Sequence, residues 1–103
     1  MLLTTSENIA GKQVVPLGVA TGNVVQAKHF GRDVMAGFKS LVGGEIKGYT
    51  ELLNESRSIA TNRMIEEAKK MGADAVICLR YHSATVMDGA CEVMAYGTAV
   101  RFD

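Results

Sequence analysis

Four side chains in this sequence have the chemistry to hold a soft or borderline metal ion: His29, Cys78, His82 and Cys91. Thiolate and imidazole are the usual ligands of zinc, copper and nickel, and such a site needs several of them converging within a few ångströms. A divalent or heavy metal ion is therefore the one cofactor that the residue types suggest. The spacing works against a site within one chain. On a strand, Cys78 and His82 share a face but lie roughly 13 Å apart. A two-residue turn at Asp88–Gly89 sets Cys91 opposite Val86, farther still from Cys78. A site would require two subunits, or His29 folding over. Buried cysteines more often act as small hydrophobes.

Other chemistries are weaker. "GGEIKGYT", Gly43 to Thr50, has the glycine spacing of a phosphate-binding loop, but Tyr49 replaces the lysine and Lys47 precedes the second glycine. The segment also follows a predicted helix, whereas a phosphate-binding loop follows a strand. A joint between two helices fits better, with incidental anion binding at the next helix start as a subsidiary reading. A cysteine nucleophile would have no thiolate-stabilising neighbour beyond Arg80. Glu66 and Glu67 diverge on a helix, Glu51 and Glu55 read as solvated, and no serine stands in a nucleophile elbow. The sequence predicts no catalytic residues, and an enzyme is not expected.

The elements that would carry these residues are legible from periodicity. Val14 to Val25 is β-branched and punctuated by Gly18 and Gly22, which predicts a strand with a bend or bulge. Pro16 places its end at an edge or kink, and "LLTT" is expected to pair with it through "SENIAGK". From Phe30, apolar residues at Val34, Phe38 and Leu41 predict a short helix ending at Gly43–Gly44. A long helix follows from Tyr49 to Met71, with Lys69 and Lys70 in its last turn and Gly72 as its stop. Its expected buried face is Tyr49, Leu53, Ala60, Met64 and Met71, flanked by Leu52, Ile59 and Ala68. Arg63 and Glu67 are spaced for an ion pair, and Ile65 points away from that face.

Asp74 to Met87 and Cys91 to Phe102 predict a closing hairpin. A regular two-residue loop sets Tyr81 opposite Tyr96 and Leu79 opposite Thr98. One face then carries Ile77, Leu79, Tyr81, Met94, Tyr96 and Val100. The other carries Val76, Cys78, Val86, Cys91 and Val93, beside a smooth Ala95–Gly97–Ala99 strip suited to a close helix. Both faces have apolar content, and so small a chain is short of material to cover both. The tyrosine-bearing face predicts contact with further copies.

The totals agree with this scale. The 103 residues make one domain, residues 1–103, that is 48% hydrophobic and buries about two-thirds of its unfolded surface. Eleven basic residues balance eleven acidic ones with no segregation, so neither nucleic acid nor an anionic membrane surface is an expected partner. "MLLTTSENIAGK" has no positive leader before a long apolar region, and no apolar run approaches the roughly 20 residues of a membrane span. Two cysteines do not make a disulfide framework. A bacterial-type cytoplasmic location is expected.

Several short motifs in order carry a family resemblance. "GVATG", "RDVMAGFKSLVGG", "GYTELLNESRSIA", "AKKMGADAVI" and "YGTAV" resemble the YbjQ-like family of small bacterial proteins, over about Gly18 to Val100. Arg32, Asp33, Gly43, Gly44, Tyr49, Arg57, Ala60, Gly72, Ala73, Ala75, Val76, Gly97 and Thr98 match recurrent positions of that family. The resemblance implies an α+β, dodecin-like fold, with a small antiparallel sheet packed on one long helix plus a short helix. It also implies a ring-like homo-oligomer, a pentamer, and carries the label of heavy-metal binding without a ligand motif. Relatives often have an acidic residue after "TG", where this chain has Asn23. Arg57 and the Arg32–Asp33 pair, which bracket the glycine joint, are expected to tie elements together.

Overall fold

The structure, a computed structural model, describes residues 1–27 and 47–103. The expected helix from Phe30, the Gly43–Gly44 break, His29 and the Arg32–Asp33 pair lie outside the described residues. The described elements are β1 (Leu2–Leu3), β2 (Val14–Ala27), α1 (Lys47–Lys70), β3 (Ala75–Met87) and β4 (Ala90–Phe102). They form an α+β unit: one four-stranded sheet in the order β1-β3-β4-β2 with α1 across one face.

The helix begins two residues before the sequence expectation. Its end is as expected. Gly72 takes φ 83°, its amide bonds the Lys69 carbonyl at 3.0 Å, and the Ala73 amide bonds the Ala68 carbonyl at 3.0 Å. These two bonds satisfy last-turn carbonyls, and only a left-handed residue allows both. Leu52, Ser56, Ala60, Met64 and Ala68 are all buried, one line at four-residue spacing. The buried stripe is thus rotated from the expected one, since Met71 is exposed and Tyr49 and Leu53 are only partly covered. Ile65 packs against the same core, so it is not a free contact for another chain. Arg63 does not pair with Glu67. Its guanidinium donates to the Asn23 carbonyl of β2 at 2.7 Å and ties the helix to the sheet.

The sheet is mixed rather than antiparallel. β1 runs parallel to β3, with Leu2 opposite Ala75 and Leu3 opposite Val76. This overturns the expected pairing of "LLTT" with β2. The Thr4 hydroxyl accepts from the Ser6 amide at 3.1 Å, and that turn lets the Thr4 and Ser6 carbonyls accept from the amides of Leu79 and Cys78, each at 3.0 Å. The N-terminal segment therefore lines β3 as far as Leu79. β2 is an edge strand with its register shift between Pro16 and Gly18, where proline and glycine predicted a kink.

The β3–β4 hairpin turns at Asp88–Gly89 as expected, but its register slips twice. Shifts lie between Thr85 and Met87 and between Ile77 and Arg80, so Tyr81 faces Ala95 and Arg80 faces Tyr96. The second shift is a bulge at Cys78–Leu79 in which Cys78 adopts φ 55°, a left-handed conformation rare for a side-chain-bearing residue. An extra residue reverses alternation beyond it. Leu79 and Tyr81 therefore move to the helix side, correcting the face assigned to them from regular alternation. Gly97 makes room for this bulge, since a Cβ there would lie 2.6 Å from Val76 Cγ1 and 2.9 Å from the Ile77 carbonyl oxygen.

Two apolar clusters result. Between helix and sheet, Leu52, Ala60, Met64 and Ala68 meet Ala20, Val24, Val76, Leu79, Cys91, Val93, Ala95 and Ala99. The small-residue strip brings the layers together as expected. On the other face, Ala75, Ile77 and Val100 are covered by Ile9, with Val14, Cys78 and Phe102 beside them. Farther along that face, β2 presents Val19 at 66% and Val25 at 59% exposure. The neighbouring Met94 and Tyr96 are half-buried.

Candidate functional site

Ligand chemistry is dispersed by the fold. Cys91 is fully within the helix–sheet core, while Cys78 packs on the opposite sheet face. His82 is exposed on β3, in register with Met94. Cys91 has a second-row neighbour in Ser56, whose Oγ lies 3.9 Å from Cys91 Sγ and donates to Gln26 Oε1 at 2.6 Å. That arrangement satisfies a buried hydroxyl; it is not a set of metal ligands. Among the described residues, no group of three or more His, Cys, Asp or Glu side chains could hold a metal ion. Cys78 and Cys91 are both free thiols.

A polar cluster that periodicity does not disclose forms where α1 passes β3. The Thr61 Oγ1 donates to the Arg57 carbonyl at 2.6 Å and lies 2.8 Å from the Tyr81 hydroxyl. Arg57 donates to Asn54 Oδ1 at 3.1 Å and stands 6.0 Å from the Tyr81 ring centre. These groups, with Ser58 and Asn62, line an open surface pocket of about 260 Å³. The lining holds a guanidinium, hydroxyls and carboxamides, and no carboxylate, thiol or imidazole. Such a set can pair with an anion but offers neither a metal ligand set nor an acid–base pair. No spacing in the sequence signals it, because Tyr81 reaches the helix side only through the bulge at Cys78–Leu79. Arg57 reaches a second element only through the Tyr81 ring, and its hydrogen bond to Asn54 stays within α1, so the expected polar tie between elements is not formed by it among the described residues.

A second pocket, about 160 Å³, lies between Tyr49 and Leu53 of α1 and Ser83, Ala84, Thr85 and Cys91 of the hairpin. Of the Gly43–Gly48 joint, only Lys47 and Gly48, the first residues of α1, are described, so anion binding there stays an expectation of the sequence. No helix among the described residues is long and apolar enough to cross a membrane.

Comparisons with known proteins place the chain. A family model described as "Putative heavy-metal-binding", YbjQ_1, matches residues 1–103. A "UPF0145 protein" of Thermotoga maritima is 59% identical over 104 residues, covering all of this chain and 98% of that relative. A "UPF0145 protein" of Shewanella frigidimarina is 53% identical over 102 residues, covering 98% and 95%. A crystal structure of a protein with unknown function, from the DUF74 family of Pediococcus pentosaceus, superposes with a TM-score of 0.68 at 19% identity, covering 100% of this chain and 98% of that one. That last likeness bears on the fold alone. With the family model matched end to end and near-full-length relatives above half identity, the chain belongs to the YbjQ (UPF0145, DUF74) family.

Proposed function

We propose that this chain is a non-catalytic, cytoplasmic domain of dodecin-like form whose work is self-association into a ring-like homo-oligomer, a pentamer. The observation that supports it is the half of the outer sheet face that no described element covers. Val19 and Val25 stand largely exposed there beside Met94 and Tyr96, while Ile9 covers only the other end. Thr21 and Asn23 stand between the two valines, so the apolar side chains are spread along this face, and such a face on a small chain fits contact with a further copy.

Light scattering on the purified protein tests the reading. The expected mass is five times the 11.0 kDa chain, and a single-chain mass at micromolar concentration would refute it.

Heavy-metal binding is the second reading, supported by the family description. Because the described ligands are dispersed within one protomer, this reading calls for a site shared between subunits, with Cys78 or His82 as contributors, or for one that His29 completes. Elemental analysis of the untagged protein is the direct test. Stoichiometric zinc, copper or nickel is expected, and metal-free protein from metal-replete cells would count against it.

A further inference from the structure

Among the described residues, the two margins of the sheet are blocked at one end and open at the other, and the ends coincide. Leu2, Ala75, Val100 and Pro16 form one row across the four strands. At that row β3 is already paired by β1, and β2 carries the proline and the register shift that discourage an incoming strand. Toward the hairpin turn both obstacles vanish. The N-terminal segment leaves β3 at Leu79, and Arg80 to Met87 are all exposed, Val86 at 47% and Met87 at 67%. On the far side, Gly18 to Ala27 of β2 contains no proline and no charged residue. Rows through Tyr96, Met94 and Glu92 set Arg80 level with Thr21, His82 with Asn23 and Ala84 with Val25.

Soluble proteins protect a long, uncharged edge strand, because its unpaired amides and carbonyls are a template for another strand. Here nothing among the described residues pairs with the outer side of β2, or with the margin of β3 beyond Leu79 at the same height. We infer that residues Thr21–Ala27 of one copy pair with Arg80–Met87 of the next, so that the sheet continues from protomer to protomer. The inference rests on the self-association reading and specifies its contact.

The direction of pairing follows from topology. β4 is antiparallel to both β2 and β3, so those two strands run the same way. Rotation about an axis along the strands preserves direction, which makes the new ladder parallel. The contact is also heterologous, joining two different surfaces, and such contacts close into rings when the rotation allows. A two-fold β2–β2 pairing would instead be antiparallel and would leave both β3 margins bare.

A mixing experiment separates these geometries. At each margin, one of two adjacent residues loses only an outward amide on substitution by proline, and the other loses a bond to β4. From Val25→Pro and Gln26→Pro, and from Ser83→Pro and Ala84→Pro, the variant keeping the wild-type circular dichroism is taken. Each selected variant alone is expected to be monomeric. Mixed, they should form a 1:1 dimer and nothing larger, since one intact β2 margin meets one intact β3 margin.

Full assembly by the β3 variant alone, or no dimer on mixing while wild type assembles, would overturn the contact but leave self-association standing. A monomeric wild type would remove both. Hydrogen exchange on the wild-type protein needs no variant: alternate amides from Tyr81 to Met87 should gain at least tenfold protection on going from dilute to assembled protein. Unchanged exchange there, with assembly present, would also overturn the inference.

Discussion

Gly22 of β2 lies directly beneath the carbonyl of Ala60 on α1. A Cβ at Gly22 would overlap that oxygen and the Met64 amide nitrogen, and would come within 2.8 Å of the Arg63 carbonyl carbon. These are helix backbone atoms, so no side-chain rotation relieves the clash. Gly22→Ala is expected to cost about 2–3 kcal/mol, the upper range for overpacking, which lowers Tm by roughly 10–20 °C in a chain of this size. Gly72→Ala meets open space and strains only its φ of 83°, so it should cost about 1 kcal/mol. Thermal melts of the two variants check the order.

The left-handed Cys78 makes a second prediction. Cys78→Gly relieves the backbone and loses a half-buried side chain, whereas Cys78→Val puts a β-branched residue at φ 55°. The valine variant should be less stable by about 1–2 kcal/mol, the usual penalty of that conformation. Equal denaturation midpoints would show that the bulge holds no such strain.

Ser56 is fully buried and its hydroxyl donates to Gln26. Ser56→Ala should cost about 1 kcal/mol, the net worth of such a bond. Gln26→Ala and the double variant complete a cycle, and the two costs should add to more than the double variant shows. Strict additivity would mean that the bond contributes nothing.

Tyr81→Phe removes the contact between the Tyr81 hydroxyl and Thr61 but leaves the ring near Arg57. Both groups are exposed, so the loss should stay below about 1 kcal/mol. A larger drop in chemical denaturation would place this corner under another subunit.

Metal uptake offers a fifth check under the heavy-metal reading. The double variant Cys78→Ser, His82→Ala should lose any zinc, copper or nickel that the wild type retains through dialysis. Undiminished metal by elemental analysis would exclude these two ligands.

The sequence discloses the elements better than their pairing. The stop of α1 at Gly72, the Asp88–Gly89 turn and the kink at Pro16–Gly18 each depend on local backbone chemistry, which single residues express. Register does not. "AVICLRY" is apolar enough on both sides that an extra residue at Cys78 leaves no mark in the alternation, and Leu79 and Tyr81 change faces unseen. The partner of β1 was hidden for a related reason: a two-residue strand has too little pattern to choose between β2 and β3. Arg63 found the Asn23 carbonyl rather than Glu67 because tertiary proximity outweighs an exposed i,i+4 pair worth only tenths of a kcal/mol. The surface pocket at Arg57 combines helix residues with a strand residue placed by the bulge, so no linear spacing foretold it.

The Gly22–Ala60 closeness also governs how the protomer can move. At Gly22 the helix seats on strand backbone with no side chain between them, and interlocked surfaces of this kind shift in whole turns of about 5.4 Å or not at all. Piston or roll motions of α1 are therefore suppressed, and any change of shape must travel by flexing the strands at their margins.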